Sequence, residues 1–275
     1  MTGMELKFRP DLYRGTAEYY DRFRPPYPAE LIDDLASRTG ADGSGRLLDL
    51  ACGPGPICFA LRPWFAEVWA VDQEPDMIRL VRQKAAALAS PPRWEFSIAA
   101  AETLAAPAES IDLVTIGNAF HRLPRDVVAA EVLRWLRPGG HLALLWGGSP
   151  HSEIGSAPWQ QALLAEMQRW QHRPGAEQRI PSDYQTDRDA RPDPGILRTA
   201  GFEVIGRHEF PVSQVWTADE IAGFVASTAV LSPAALGADA TAFDTSLRRV
   251  LLQQEPGGEF RQQMTFAYEL ARRPT

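Results

Sequence analysis

Five apolar segments of strand length recur between residues 46 and 146, most of them separated by segments with helical spacing. They are RLLDL (46–50), EVWAVD (67–72), RWEFSI (93–98), IDLVTIG (111–117) and HLALLW (141–146). Repeated strand–helix units leave the chain few architectures: a parallel sheet with right-handed crossovers and helices on its faces. The strands lack strict polar–apolar alternation, which suits strands covered on both sides. Helices are predicted from Pro28, a first-turn proline, to about Arg38, and around Ile57 to Trp64. Two more run from Met77 to Leu88 and from Val127 to Leu136, the latter stopped by Pro138-Gly139-Gly140.

Beyond Gly147 the pattern changes. Trp159 to Trp170 reads as a helix, and residues 171–195 are rich in Pro, Arg and Asp, a loop or lid-like insertion. FEVIGRHEF (202–210) is strand-like, helical pieces follow near Asp219 to Ser227 and Ala238 to Leu252, and QQMTFAYEL (262–270) is the last strand. The expected plan is one domain over residues 1–275. An amino-terminal arm (1–27) carries Tyr13, Tyr19, Tyr20, Phe23 and Tyr27, and additions on the substrate side span about 150–195 and 217–255.

Charge narrows the function. The 275 residues carry a formal net charge of −7, a poor match to a phosphate backbone, so no nucleic-acid partner is expected. The start is too polar for a signal peptide and no apolar run approaches the length of a membrane span, so no membrane partner and a cytoplasmic location are expected. Cys52 and Cys58, the two cysteines, read as free packing thiols in a reducing compartment. No CxxC pair or HExxH is present and no metal site is expected.

The chemistry concentrates at Leu47-Leu48-Asp49-Leu50-Ala51-Cys52-Gly53-Pro54-Gly55. A buried strand bears a carboxylate, and a tight glycine-containing turn then opens a helix, which lets backbone N–H groups approach a ligand. Alone, such a turn is equally a plain loop. The next strand ends at Asp72, where a carboxylate can accept from two ribose hydroxyls. Residues 51, 53 and 56 are Ala, Gly and Pro, so the GxGxxG cradle of a nicotinamide enzyme is absent.

In order, LLDLACGPG, AVDQEPDMIRLVRQKA, AAAETL, IDLVTIGNAFHRL and LRPGGHLALL resemble the motifs of class I S-adenosylmethionine-dependent methyltransferases. YDRFRPPYP and STAVLSPAALG look like the small-molecule enzymes of the trans-aconitate and natural-product type. The resemblance is strong from about Tyr19 to Trp146 and weaker to about residue 270. It implies a Rossmann-like open α/β sheet, mostly parallel with an antiparallel last strand, helices on both faces and helical additions. It implies S-adenosylmethionine as cofactor and S-adenosylhomocysteine as product.

Position by position, the resemblance implies Asp49, Ala51, Gly53 and Gly55 around the methionine part. Asp72 would hold the ribose with Gln73 beside it, and Met77, Ala101 and Glu102 would meet the adenine. Asn118 and Ala119 would lie beneath the amino-acid portion, and Tyr20 and Arg24 match the motif that closes over the cofactor. Two positions depart: Ala51 replaces the usual first glycine, and Ala100 stands where an Asp commonly accepts from the adenine amino group.

Methyl transfer from a sulfonium is an in-line displacement with an activated leaving group, so alignment and water exclusion matter more than a fixed triad. His121, just after the fourth strand, is the candidate general base, with His151 behind it; either is equally a packing residue. Trp146, Trp159, Trp170, Trp216 and Phe224 are candidates for an apolar pocket or for core. Arg173, Arg179, Arg188 and Arg191 are candidates for gripping an anionic substrate or for a solvated loop. The expected activity is methylation of O, N or C of a small metabolite in secondary metabolism. A catalytically silent S-adenosylmethionine-binding or partner protein is the alternative. A small-molecule substrate is the expected partner, and a homo-oligomer is left open.

Overall fold

The computed structural model describes residues 8–151, 157–174 and 178–275. The ends of the expected arm and additions that fall at 1–7, 152–156 and 175–177 lie outside the described residues. In chain order the elements are α1 (Ala17–Phe23), α2 (Ala29–Thr39), β1 (Arg46–Leu50), α3 (Pro56–Leu61), β2 (Glu67–Asp72), α4 (Pro75–Ala86) and β3 (Arg93–Ile98). Next come β4 (Ile111–Gly117), α5 (Arg125–Trp135), β5 (Leu136–Trp146), α6 (Pro158–Gln171), α7 (Tyr184–Ala190) and α8 (Asp193–Ala200). The chain closes with β6 (Glu203–Thr217), α9 (Ala218–Ala226), α10 (Pro233–Leu236), α11 (Ala240–Gln254) and β7 (Glu259–Arg272).

Among the described residues seven strands form one sheet in the order β3-β2-β1-β4-β5-β7-β6. β1 to β5 pair in parallel, and β7 runs antiparallel to both neighbours. This is the Rossmann-like sheet with an antiparallel last strand. Adjacent residues explain why the central strands read as continuous apolar runs. Leu47 and Leu113 enter one buried cluster, with Val68, Ala143, Phe266 and Tyr268. Leu48, Leu50, Val114 and Ile116 enter the cluster on the other face, with Val128, Val132, Trp135 and Leu197. Both faces are covered, so each position of the strand has an apolar neighbour to meet. The edge strand β6 instead alternates between exposed and half-buried residues.

Three elements differ from expectation. Residues 184–200 are α7 and α8 where the composition suggested an open loop. α8 starts after Pro192 with Asp193 in its first turn and ends at Gly201 with φ +106°, the usual terminal signals. β6 continues seven residues past Phe210, to Thr217. α9 follows at once, capped by Thr217 and Glu220: the Thr217 side chain accepts from the Glu220 N–H and the Glu220 side chain accepts from the Thr217 N–H. It packs on α1 so closely that a Cβ at Gly223 would overlap the Phe23 ring.

Candidate functional site

The carboxyl ends of β1, β2 and β4 meet at one cavity, with β1 between the other two strands. In an open α/β sheet ligands bind in this crevice. The cavity, mouth included, encloses about 800 Å³ not occupied by atoms. Of the expected residues, Tyr20, Ala51, Gly53, Asp72, Gln73, Met77, Ala101, Glu102, Asn118 and Ala119 line it. Arg24, Asp49, Gly55 and His121 do not.

Asp72 organises the turn. Its Oδ2 accepts from the Gly53 N–H at 2.8 Å and its Oδ1 from the Glu74 N–H at 2.9 Å. Each carboxylate oxygen has a second lone pair free of these bonds. Burial raises the Asp72 pKa, against those two N–H bonds. Asp49 sits one layer deeper and is fully buried. It accepts from Thr115 Oγ1 at 2.8 Å and from the Cys58 N–H, in the first turn of α3, at 3.1 Å. Burial pushes its pKa up to about 7. Gly55 serves the same helix start: a Cβ there would lie 2.8 Å from the Phe59 ring and 2.9 Å from Cys58 Sγ. Cys52 and Cys58 are buried free thiols, and burial raises both pKa values.

Backbone strain clusters at the cavity. Ala51 has φ +54° and Asn118 φ +51°, while Gly53 has +56°. The left-handed region costs alanine roughly 1–2 kcal/mol. Ala51→Gly is therefore expected to raise stability. Glycine's larger unfolded-state entropy takes back about 0.4–1 kcal/mol. A net gain of roughly 0.5–1 kcal/mol is expected in urea unfolding; a loss would show that the turn holds Ala51 without strain.

The arm supplies a wall that the sequence reading missed. Phe8, Arg9, Leu12 and Tyr13 line the cavity, with Arg122 over the Tyr13 ring at 5.0 Å. Arg179 donates to the carbonyls of Leu12 at 3.2 Å and Ala229 at 2.8 Å, tying the segment before α7 to the arm. Phe8 meets Tyr184 of α7 edge-on at 5.6 Å. Glu74, two residues past Asp72, also lines the cavity, and its Oε1 is buried without a hydrogen-bond partner among the described residues. Asn118 Nδ2 donates to Tyr27 Oη at 3.3 Å and its Oδ1 accepts from the Gly147 N–H at 3.2 Å, joining the ends of β4 and β5.

His121 packs against Tyr184 at 5.8 Å, and its Nδ1 is buried without a partner among the described residues. Burial, then the charges of Arg122, Arg188 and Arg125, hold its pKa well below the ordinary histidine value. Arg173 pairs with Asp239 at 3.0 Å, Arg191 with Asp126, and Arg188 donates to Tyr184 Oη at 3.3 Å. Trp159, Trp216 and Phe224 are buried core residues. Trp146 and Trp170 are partly buried against the two apolar clusters. Among the described residues no cluster of three or more His, Cys, Asp or Glu could hold a metal, and no helix is long and apolar enough to cross a membrane.

Residues 47–140, which hold the turn and β1 to β4, match the family model described as a methyltransferase domain. An uncharacterized methyltransferase of Mycobacterium tuberculosis is 35% identical over 127 residues, 46% of this chain and 48% of the relative. The trans-aconitate 2-methyltransferase of Azoarcus sp. is 34% identical over 114 residues, 40% of this chain and 42% of the relative. The chain thus spans about half the length of the curated relatives it matches. A solved structure from Anaeromyxobacter dehalogenans, described as a proposed type II methyltransferase, shares the fold with a TM-score of 0.56 at 23% identity, covering 91% of this chain and 97% of that one. With the turn after β1 and the carboxylate ending β2, residues 47–140 are similar to a methyltransferase domain, and over this part the chain resembles the class I S-adenosylmethionine-dependent methyltransferases.

Proposed function

We propose that the chain transfers a methyl group from S-adenosylmethionine to an O, N or C atom of a small metabolite, in secondary metabolism, by in-line displacement. The observation that carries the reading is one cavity that joins Gly53, Asp72, Met77 and Asn118 and is walled by Leu12, Tyr13 and Tyr20. Asp72 would accept from the two ribose hydroxyls with the lone pairs its backbone bonds leave free. Met77, Ala101 and Glu102 would meet the adenine, and the Ala51–Gly53 backbone and Asn118 the methionine end. Asp49 and Gly55 would act through the turn they hold, not by contact. A wall of arm residues excludes water from a displacement that needs alignment above all.

The acceptor is read as small because the arm covers the cavity, and the trans-aconitate relative points the same way. Residues 150–195 and 217–255 are proposed as the substrate-side additions of a single domain. Two buried free thiols fit a reducing compartment such as the cytoplasm. A neutral imidazole with an unpartnered Nδ1 favours a base role for His121; its place off the cavity wall opposes it.

Calorimetric titration with S-adenosylmethionine, S-adenosylhomocysteine and NAD tests the reading. Binding of the first two alone, and a gain of one methyl on an acceptor by mass spectrometry, is the expected result; occupancy without turnover would favour the silent binder. Asp72→Ala is expected to weaken cofactor binding by about 1–3 kcal/mol, the loss of hydrogen bonds to a charged group. Unchanged affinity in a folded variant would remove Asp72 from the site.

A further inference from the structure

We propose that Arg24, with Ser227 and His151 beside it, forms a subsite that holds a carboxylate of the methyl acceptor. The inference rests on the methyl-transfer reading and names the acceptor class. Arg24 follows α1 and its guanidinium carbon lies over two aromatic rings, 4.6 Å from the Tyr20 centroid and 4.0 Å from the Phe224 centroid. Nε donates to Ser227 Oγ at 2.7 Å. Among the described residues no carboxylate pairs with it. Arg46 and Arg125 are neutralised, Arg46 by Glu67 at 2.9 Å and Arg125 by Asp187 and Asp193 at 2.6 and 2.8 Å, whereas half-buried Arg122, on the cavity wall, shares with Arg24 the lack of a carboxylate among the described residues. Arg24 is thus a half-buried cation whose terminal N–H groups have no anion.

A second orphan lies on the same ring. His151, after β5, packs edge-on to Phe224 at 5.9 Å, and its Nδ1 is buried with no hydrogen-bond partner among the described residues. Burial, and then the charge of Arg24, lowers its pKa to about 4, so it is a neutral imidazole facing a permanent cation. The terminal N–H groups of Arg24 and the Nδ1 of His151 meet around one aromatic ring, and the desolvation cost they carry is one that an anion with hydrogen-bond capacity would reduce.

Position ties the pair to the cofactor site. Tyr20 covers Arg24 and also lines the cavity, where a Cβ on Gly53 would lie 4.0 Å from its ring. Gly53 belongs to the turn that faces the methionine end, not the adenine end at Ala101 and Glu102. The subsite therefore adjoins the part of the cavity from which the methyl group would leave. A planar fork with Nε already engaged suits a carboxylate, while a phosphate dianion calls for more than one cation. In a chain of net charge −7, an unneutralised arginine is also where a carboxylate would be drawn.

The test titrates acetate, succinate, benzoate and cinnamate, with succinamide, benzamide and inorganic phosphate as controls. Ionic strength is held constant, and each titration is run with and without saturating S-adenosylhomocysteine. At least one carboxylate should bind and neither amide should. Arg24→Gln should weaken that carboxylate by about tenfold or more, and Arg24→Lys, which keeps the charge without the planar fork, should restore only part of the loss. Arg22→Gln, an exposed neighbour, should change nothing. Ser227→Ala, a smaller cut, gives a second reading if Arg24→Gln fails to fold: it should weaken the carboxylate severalfold and leave S-adenosylhomocysteine affinity unchanged. Binding of no carboxylate, equal binding by Arg24→Gln, or a preference for phosphate overturns the proposal. Failure of S-adenosylhomocysteine to bind overturns the methyl-transfer reading instead, and the titrations without it still decide on Arg24.

Discussion

Arg125→Ala is expected to destabilise the fold by about 3–5 kcal/mol, the usual result of removing one partner from a buried ion pair. Arg125 opens α5 with its side chain 5% exposed. It donates to Asp193 Oδ1 at 2.8 Å, to Asp187 Oδ2 at 2.6 Å and to the Arg191 carbonyl at 2.7 Å. Alanine would leave the Asp193 carboxylate, 10% exposed, without a cation. The same arginine clamps α7 and α8 onto α5, and α7 carries the Tyr184 that meets Phe8 and His121. Loosening it should therefore also weaken the cofactor, since Phe8 lines the cavity. Denaturant unfolding checks the first effect, and Arg134→Ala is the control: its pair with Glu131 is exposed and should matter by less than about 1 kcal/mol. Adding Asp193→Asn should recover part of the loss, because the unpaired charge goes with it, while Asp187 keeps its pair with Arg191 at 3.7 Å. A loss below about 1 kcal/mol for Arg125→Ala would mean that water solvates both carboxylates without its help.

In the parallel half of the sheet β1, β2 and β4 are legible because most of their residues are buried, while the edge strand β3 shows as a short apolar–polar alternation. RLLDL, EVWAVD, RWEFSI and IDLVTIG coincide with β1 to β4. β6 reads short because Pro211 follows Phe210 and ordinarily ends a strand. Here β6 is the sheet edge, where a residue without an N–H is tolerated. α7 and α8 are hidden because composition over 171–195 averages a loop with two short helices, although Pro192, Asp193 and Gly201 are terminal signals.

At the site, what lies within one strand–turn–helix unit is readable and what is brought from afar is not. The Gly53 turn and Asp72 belong to consecutive strands, so their order alone brings them together. His121 is correctly expected just past β4, but whether its ring faces the cavity or α7 depends on Tyr184, sixty-three positions on. The aromatic arm is visible as composition. Its contacts with Arg122, Arg179 and Tyr184 are non-local, so its place on the cavity wall is not. Arg24 shows the same limit: Ser227 and Phe224 lie some two hundred residues away.

Asp49→Asn should remove a pH dependence of stability worth roughly 4 kcal/mol between about pH 4 and pH 7. In the unfolded chain this carboxyl titrates near 3.8, and in the folded chain near 7, because burial penalises the charge. Between those values the folded state holds the proton and the unfolded state has lost it. The folded state then binds more protons, so stability falls as pH rises through the window and is level above it. Asparagine can still accept from the Cys58 N–H but has nothing to titrate. Asp72 and Glu74, also raised by burial, are present in both proteins and drop out of the difference. Urea midpoints of the two proteins from pH 4 to pH 8 provide the check. The asparagine variant should gain on the parent as pH rises and keep that gain above about pH 7. A difference that stays constant across the range would mean that the Thr115 and Cys58 hydrogen bonds offset burial completely, and that Asp49 carries its charge in the fold as easily as in water.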